Sequence, residues 1–162
     1  MGQSPDGSSY SEDPSDTVLV QGNADLKYGK VVPRIFTSQI TKMAKIGDII
    51  LTVRAPVGVV AKCNIPACIG RGVCVIRSDD FLFYYLDYFY NTSQWNKLSH
   101  GSTFESVNSN DIKTIIVPQP STQEKEEIIS FFDALSKKLH LAESSLSELE
   151  KQKQAFMQQM FI

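Results

Sequence analysis

Few residues in this chain are spaced for chemistry, and the first candidates are Pro5-Asp6 followed by Asp25-Leu26-Lys27. In that order, two carboxylates can hold a divalent cation while a lysine helps to activate water, the arrangement of a metal-dependent nuclease. Asp6 lies in a stretch of Ser, Gly and Pro that offers it little rigid support. The three cysteines, Cys63, Cys68 and Cys74, follow C-x4-C-x5-C with no fourth ligand nearby, because His100 and His140 are distant in sequence. Small buried cysteines fit that spacing better than zinc, and an odd number within twelve residues fits a reducing cytoplasm better than disulfides. Gly70 and Gly72, in IGRG, are followed by Val73 rather than by a helix start, so no phosphate-cradling loop is read there. Two histidines without a nucleophile elbow make no triad. Catalysis is therefore the weaker reading.

Charge is more informative. The formal net charge is −2, yet residues 25–77 carry nine bases (Lys27, Lys30, Arg34, Lys42, Lys45, Arg54, Lys62, Arg71, Arg77) against Asp25 and Asp48, a local balance of +7. Residues 1–24 carry four acids and no base, and residues 78–112 balance at −4. Cations gathered into one third of a near-neutral chain point to a polyanion-facing surface or to a basic, solvated face.

The elements that must position these residues fall in three zones. Residues 1–16 read as loop or extended segment. TVLVQ (17–21), GDIILTV (47–53), GVVAK (58–62), GVCVIR (72–77) and IKTIIVP (112–118) read as short strands, too closely spaced for a helix in each gap. An α+β fold with a curled, mostly antiparallel sheet is expected over residues 1–120. Ser78 to Lys97 reads as one helix, capped by Ser78, and eight of the sixteen aromatics lie in 81–95. Leu82, Tyr85, Leu86 and Phe89 at helical spacing are taken as core rather than as a base-stacking surface.

The 121–162 zone has no Gly or Pro after Thr122. Ile128, Phe132, Leu135, Leu139, Ala142, Leu146, Leu149, Phe156 and Met160 follow alternating steps of four and three, with Lys153 as the polar interruption. That is the seam of a coiled-coil helix, capped by Ser121 or Thr122, with Glu124, Glu126 and Glu127 favouring its N-terminal end. About 38 residues make a rod of roughly 57 Å. A narrow seam of that length expects a partner helix from another chain, such as a second copy in a homodimer, with a single amphipathic helix folded back on the domain as the weaker alternative.

Several strings occur together: GQSP (2–5), VQGNADL (20–26), GDIILTVRAPVG (47–58), CIGRG (68–72), GSTFESVNSNDIKTIIVPQP (101–120) and the final helix ending QAFMQQMF. In this combination the chain resembles one half of the DNA specificity subunit of a type I restriction-modification system. The resemblance implies a recognition domain reading one part of a two-part double-stranded DNA site, and a conserved spacer helix. It also implies a non-catalytic chain without a cofactor of its own. Methyltransferase subunits, which use S-adenosylmethionine, and a translocating restriction subunit would assemble on it. The family usually has two recognition domains and two spacer helices, where this chain has one of each; that fits a half-subunit that dimerises, a truncated piece, or a gene remnant, with a scaffold that dimerises through its rod and has no DNA role as a further alternative. At the helix entrance the family tends to have Glu-Gln, and here Glu124-Lys125 stands instead.

Phosphate neutralisation supplies most DNA affinity, and a few side chains at base edges supply specificity. Lys27, Tyr28, Lys30 and Arg34 lie in a Gly-bounded stretch expected to project as a loop, where base readers sit. Arg54 precedes a Pro turn, and Arg71 lies between glycines that let the backbone approach a phosphate. For both arginines the structural alternative is a guanidinium tying turns together. Ser102 and Thr103 are candidate phosphate donors, with turn formation as the alternative.

Overall fold

The computed structural model describes residues 1–98 and 106–161. It divides into two compact units, Met1–Gln119 and Pro120–Ile162. Ten short strands build the first: β1 Tyr10–Ser11, β2 Thr17–Val20, β3 Leu26–Lys27, β4 Lys30–Val31, β5 Phe36–Thr37, β6 Met43–Ala44, β7 Ile49–Thr52, β8 Val60–Lys62, β9 Ala67–Ile69 and β10 Val73–Ile76. Where one curled sheet was expected, the strands form two sheets, ordered β1-β5-β2-β9-β6 and β10-β7-β8-β4-β3. Pairing is mostly antiparallel, with β2–β9 and β4–β8 parallel.

Strand β7 explains the layering. Its four residues are all buried, so it reads as an unbroken apolar run rather than as an alternation. Ile50 packs with Val20, Ala44, Ala67 and Ile69 from the first sheet, which makes the core between the sheets. Ile49 and Leu51 point the opposite way, as strand pleating requires, and pack with Leu86, Phe89 and Trp95. Cys63, Cys68 and Cys74 are buried free thiols, as the small-core reading expected.

The aromatic helix is shorter than its sequence pattern. Helix α1 spans Asp80–Asn91, and its N-cap is Asp79, which accepts from Leu82 N, rather than Ser78. Thr92 ends it, Ser93 turns left-handed at φ 55°, and a 3-10 turn over Gln94–Lys97 follows. Leu86 and Phe89 are buried, with Leu82 and Tyr85 packed partly against the same cluster. Trp95, 2% exposed, meets Phe89 edge-on at 5.1 Å. The expected strand at 112–118 is not formed. Asn108 caps a short helix, α2 (Ser109–Lys113), in a capping box with Asp111. The residues after it are unpaired in any sheet and are anchored where the Tyr85 hydroxyl donates to Ile116 O at 2.9 Å.

The second unit is one helix, α3, from Thr122 to Met160. Its 39 residues make about 58 Å at 1.5 Å per residue. Ser121 is the cap: its hydroxyl accepts from Glu124 N at 3.3 Å and its N–H donates to Glu124 Oε2 at 2.8 Å. The hydroxyl and then the backbone N–H of Ser121 hold the Glu124 carboxyl below its usual range. Along the seam Phe132, Leu135, Leu139, Ala142, Leu146, Leu149, Phe156 and Met160 are exposed, Leu149 by 61%, while Ile128 is half-buried. The hydrophobic effect gives such a stripe a standing drive to be covered. No helix among the described residues is long and apolar enough to cross a membrane.

Candidate nucleic-acid interface

Four loops far apart in sequence meet at one end of the paired sheets. The N-terminal segment lies along the turn between β9 and β10: Gly2 N–H donates to Val73 O at 2.9 Å and Gln3 N–H to Ile69 O at 2.8 Å. Ser4 ties the junction, since its hydroxyl accepts from Arg71 N at 3.1 Å and donates to Gln21 Oε1 at 3.4 Å. Gly72 lies so close to the Gln21 carbonyl that a Cβ there would stand 2.0 Å from its oxygen. Only glycine permits that approach.

The third loop, Arg54 to Gly58, is braced by buried Thr52. The Thr52 hydroxyl donates to Pro56 O at 2.6 Å and accepts from Val59 N at 2.9 Å. Arg54 pairs through its backbone with Ser106, and the Ala55–Pro56 bond is cis. The fourth loop, Gln21 to Asn23, is set by Asp25. The buried Asp25 carboxylate accepts from Gln21 N at 2.7 Å and Gly22 N at 3.1 Å through Oδ2. Its Oδ1 accepts from Arg34 Nε at 3.0 Å.

These loops enclose a cavity of about 220 Å³, lined by Ser4, Gln21, Asn23, Arg54, Arg71 and Gly72 among others. Arg54 and Arg71, 17 residues apart in sequence, are exposed, and among the described residues neither makes an ion pair and no acid lines the space. Two guanidiniums with neutral amide and hydroxyl neighbours make a receptor for an anion with several acceptor oxygens. Two other cations in the basic segment are engaged. Lys62 lies 2.9 Å from Asp80 and over the rings of Phe83 and Tyr84, and Arg77 lies 3.4 Å from Asp48.

The expected 27–34 loop is a tight hairpin instead. Strands β3 and β4 pair Lys27 with Lys30, and Tyr28 and Gly29 both take positive φ (52° and 67°), the two-residue turn that matches strand twist. Lys27 Nζ lies 5.0 Å from the centroid of the exposed Tyr28 ring. Arg34 is engaged by Asp25 behind the hairpin. Ser102 and Thr103 lie outside the described residues.

The nuclease triad does not assemble. Asp25 has spent both oxygens on two backbone N–H groups and a guanidinium, and its side chain is 3% exposed. Asp6 instead caps a one-turn helix by accepting from Ser8 N and Oγ. Sequence reasoning missed the neutral lining residues Ser4, Gln21 and Asn23, whose only signal was membership of the GQSP and VQGNADL strings.

The chain is 31% identical over 165 residues to the type I restriction enzyme MjaX specificity subunit of Methanocaldococcus jannaschii, covering 97% of this chain and 38% of that protein. It is 34% identical over 97 residues to the MjaIX specificity subunit of the same organism, covering 55% of this chain and 22% of that one. Among solved structures, a chain from the assembly of a type I R-M system superposes with a TM-score of 0.75 at 30% identity, over 94% of this chain and 39% of that one. The HsdS subunit from Thermoanaerobacter tengcongensis gives 0.71 at 30% identity, over 90% and 36%. The chain thus spans less than two fifths of the length of these relatives. Residues 11–151, most of both units, match the type I restriction modification DNA specificity domain, and the chain belongs to that family.

Proposed function

We propose that this chain is a non-catalytic DNA target-recognition unit of a cytoplasmic type I restriction-modification complex, with a DNA phosphate held between Arg54 and Arg71. The relatives are named as specificity subunits of type I restriction enzymes, and that role is carried over here. The observation that carries it is the meeting of four loops around a cavity that two arginines line and no described acid does. Lys27, Tyr28 and Lys30 add a basic hairpin with an exposed ring, suited to a groove edge. Arg34 and Asp25 brace the hairpin from behind and are positioning residues. Ser102 and Thr103 are proposed as additional phosphate donors on their residue types alone. Residues 1–120 act as the recognition domain and 121–162 as the spacer and dimerisation helix.

The exposed seam of α3 pairs with the same helix of a second copy, so that two recognition units read an inverted repeat. Methyltransferase subunits and a restriction translocase subunit complete the complex.

The test is a binding assay on a pool of duplexes with randomised positions, using the chain with its methyltransferase subunits. Recovery of one preferred sequence is expected, with binding weakened in the Arg54→Ala, Arg71→Ala double variant. Recovery of no preferred sequence would reject the proposal. Mg²⁺-dependent cleavage by the chain alone, lost in Asp25→Ala, would favour the nuclease reading instead.

A further inference from the structure

A larger cavity with different chemistry shares Ser4 and Arg71 with the first. It measures about 460 Å³, and Gln3, Asp6, Gln39, Thr41 and Arg71 are among its lining residues. Its charges cancel in part: the hydroxyl and then the backbone N–H of Ser8 hold the Asp6 carboxyl below the usual carboxylate range, so it stays ionised opposite Arg71. A phosphate there would meet a carboxylate. A neutral group with donors and acceptors would not.

Gln39 is exposed yet held at three points. Its backbone N–H donates to Thr37 Oγ1 and its carbonyl accepts from the same hydroxyl, both at 3.2 Å, and Thr37 is fully buried. The Asp6 backbone N–H donates to Gln39 Oε1 at 2.8 Å. A backbone N–H needs an oxygen acceptor, so this bond fixes which way the amide is turned. Two N–H donors on Nε2 and a second lone pair on Oε1 remain for a ligand. An exposed glutamine ordinarily loses rotamer freedom when it binds, and this one has already lost it. Next in the chain, Ile40 is 58% exposed beside this polar wall.

We propose that Gln39 reads a base edge, donating through Nε2 to N7 of an adenine and accepting through Oε1 from its N6 amino group. Ile40 packs against a thymine methyl in the same groove. The inference rests on the DNA-reading role proposed above and adds a reader outside the basic hairpin. Arg71 lines both cavities and joins the phosphate contact to the base contact.

The experiment selects from a pool of duplexes with randomised positions, using the chain with its methyltransferase subunits, as wild type, Gln39→Ala, Gln39→Glu and Ile40→Ala. Wild type is expected to select an A·T pair at one position. Gln39→Ala should flatten that position alone, losing about 10- to 100-fold discrimination with the salt dependence of binding unchanged. Gln39→Glu, which offers only acceptors, should move the preference toward cytosine. Ile40→Ala keeps every Gln39 hydrogen bond and should relax the preference for thymine by a few fold. Unchanged selection by both Gln39→Ala and Ile40→Ala would overturn this inference while leaving the DNA-reading role intact. Failure of the wild type to select any sequence would overturn both.

Discussion

Removing Arg54 and Arg71 together should reduce the salt dependence of DNA binding by one phosphate's worth rather than two. Counterion release contributes about 0.9 to the slope of log K against log salt for each neutralised phosphate. Both arginines line a single cavity of about 220 Å³, which suits one phosphate group between them. The double variant should therefore lower the slope by about 0.9, and the two single variants should not add up to more. Between about 50 and 200 mM salt, the wild type should lose roughly 3.5-fold more affinity than the double variant. Fluorescence anisotropy on a labelled duplex, titrated at four or five salt concentrations, reads this directly. Arg71→Lys keeps the charge and should retain the slope. A slope unchanged in the double variant would refute the phosphate assignment, and a fall near 1.8 would refute the shared site while keeping both contacts.

Three further outcomes follow from the packing. Gly58→Ala should cost about 3 kcal/mol in urea unfolding, because its Cβ would stand 2.1 Å from the buried Trp95 ring at φ +94°; a loss under about 0.5 kcal/mol would show that the loop can move aside. Leu139→Asp with Leu146→Asp should convert a dimer to a monomer by light scattering without lowering the melting temperature of the first unit; a monomeric wild type would refute the pairing. Burial pushes the Cys74 thiol up to about 11 from 9.0, so the folded chain holds its proton where the unfolded chain releases it. Its contribution is complete below pH 9 and is lost as pH rises to about 11, up to roughly 3 kcal/mol. The pH dependence of unfolding in Cys74→Ala should be shallower over that window, and equal slopes would refute the assignment.

The long helix was legible because alternating steps of four and three sustained over many turns fit no strand, and Ser121 with Glu124 fixes its start. The core cysteines and the inward face of α1 were legible for similar reasons. The 112–118 run misled because its β-branched residues spoke for a strand, while the Asn108–Asp111 capping box upstream turned the chain into a short helix. The hairpin was read as a loop because two-residue strands carry no detectable alternation, and because Tyr28, which takes φ 52°, is not one of the residue types that announce such a turn. Arg34 read as a surface cation, and nothing local announced that buried Asp25 would claim it. Gln39 was invisible for a related reason: an uncharged side chain gains recognition value only when a distant backbone, here that of Asp6, fixes its amide.

The strings that carried the resemblance and the residues proposed to read bases therefore do different jobs. GQSP, VQGNADL and CIGRG interlock mainly through main-chain contacts: Gly72 against the Gln21 carbonyl, Gly2 N–H on Val73 O, Gln3 N–H on Ile69 O. Such contacts tolerate almost no added atom, so these strings are constrained by packing whatever sequence the DNA has. Arg71 inherits its place from that lock, because its own N–H is held by Ser4. Gln39 and the Tyr28 turn stand on exposed bends whose side chains bear none of the core. Among the described residues, neither makes any of those main-chain contacts, and Gln39 reaches the N-terminal segment only through the Asp6 N–H. On the proposed reading, a recognition unit built in this way acquires a new target by substitutions on two exposed bends, while the loops proposed to hold the duplex stay fixed.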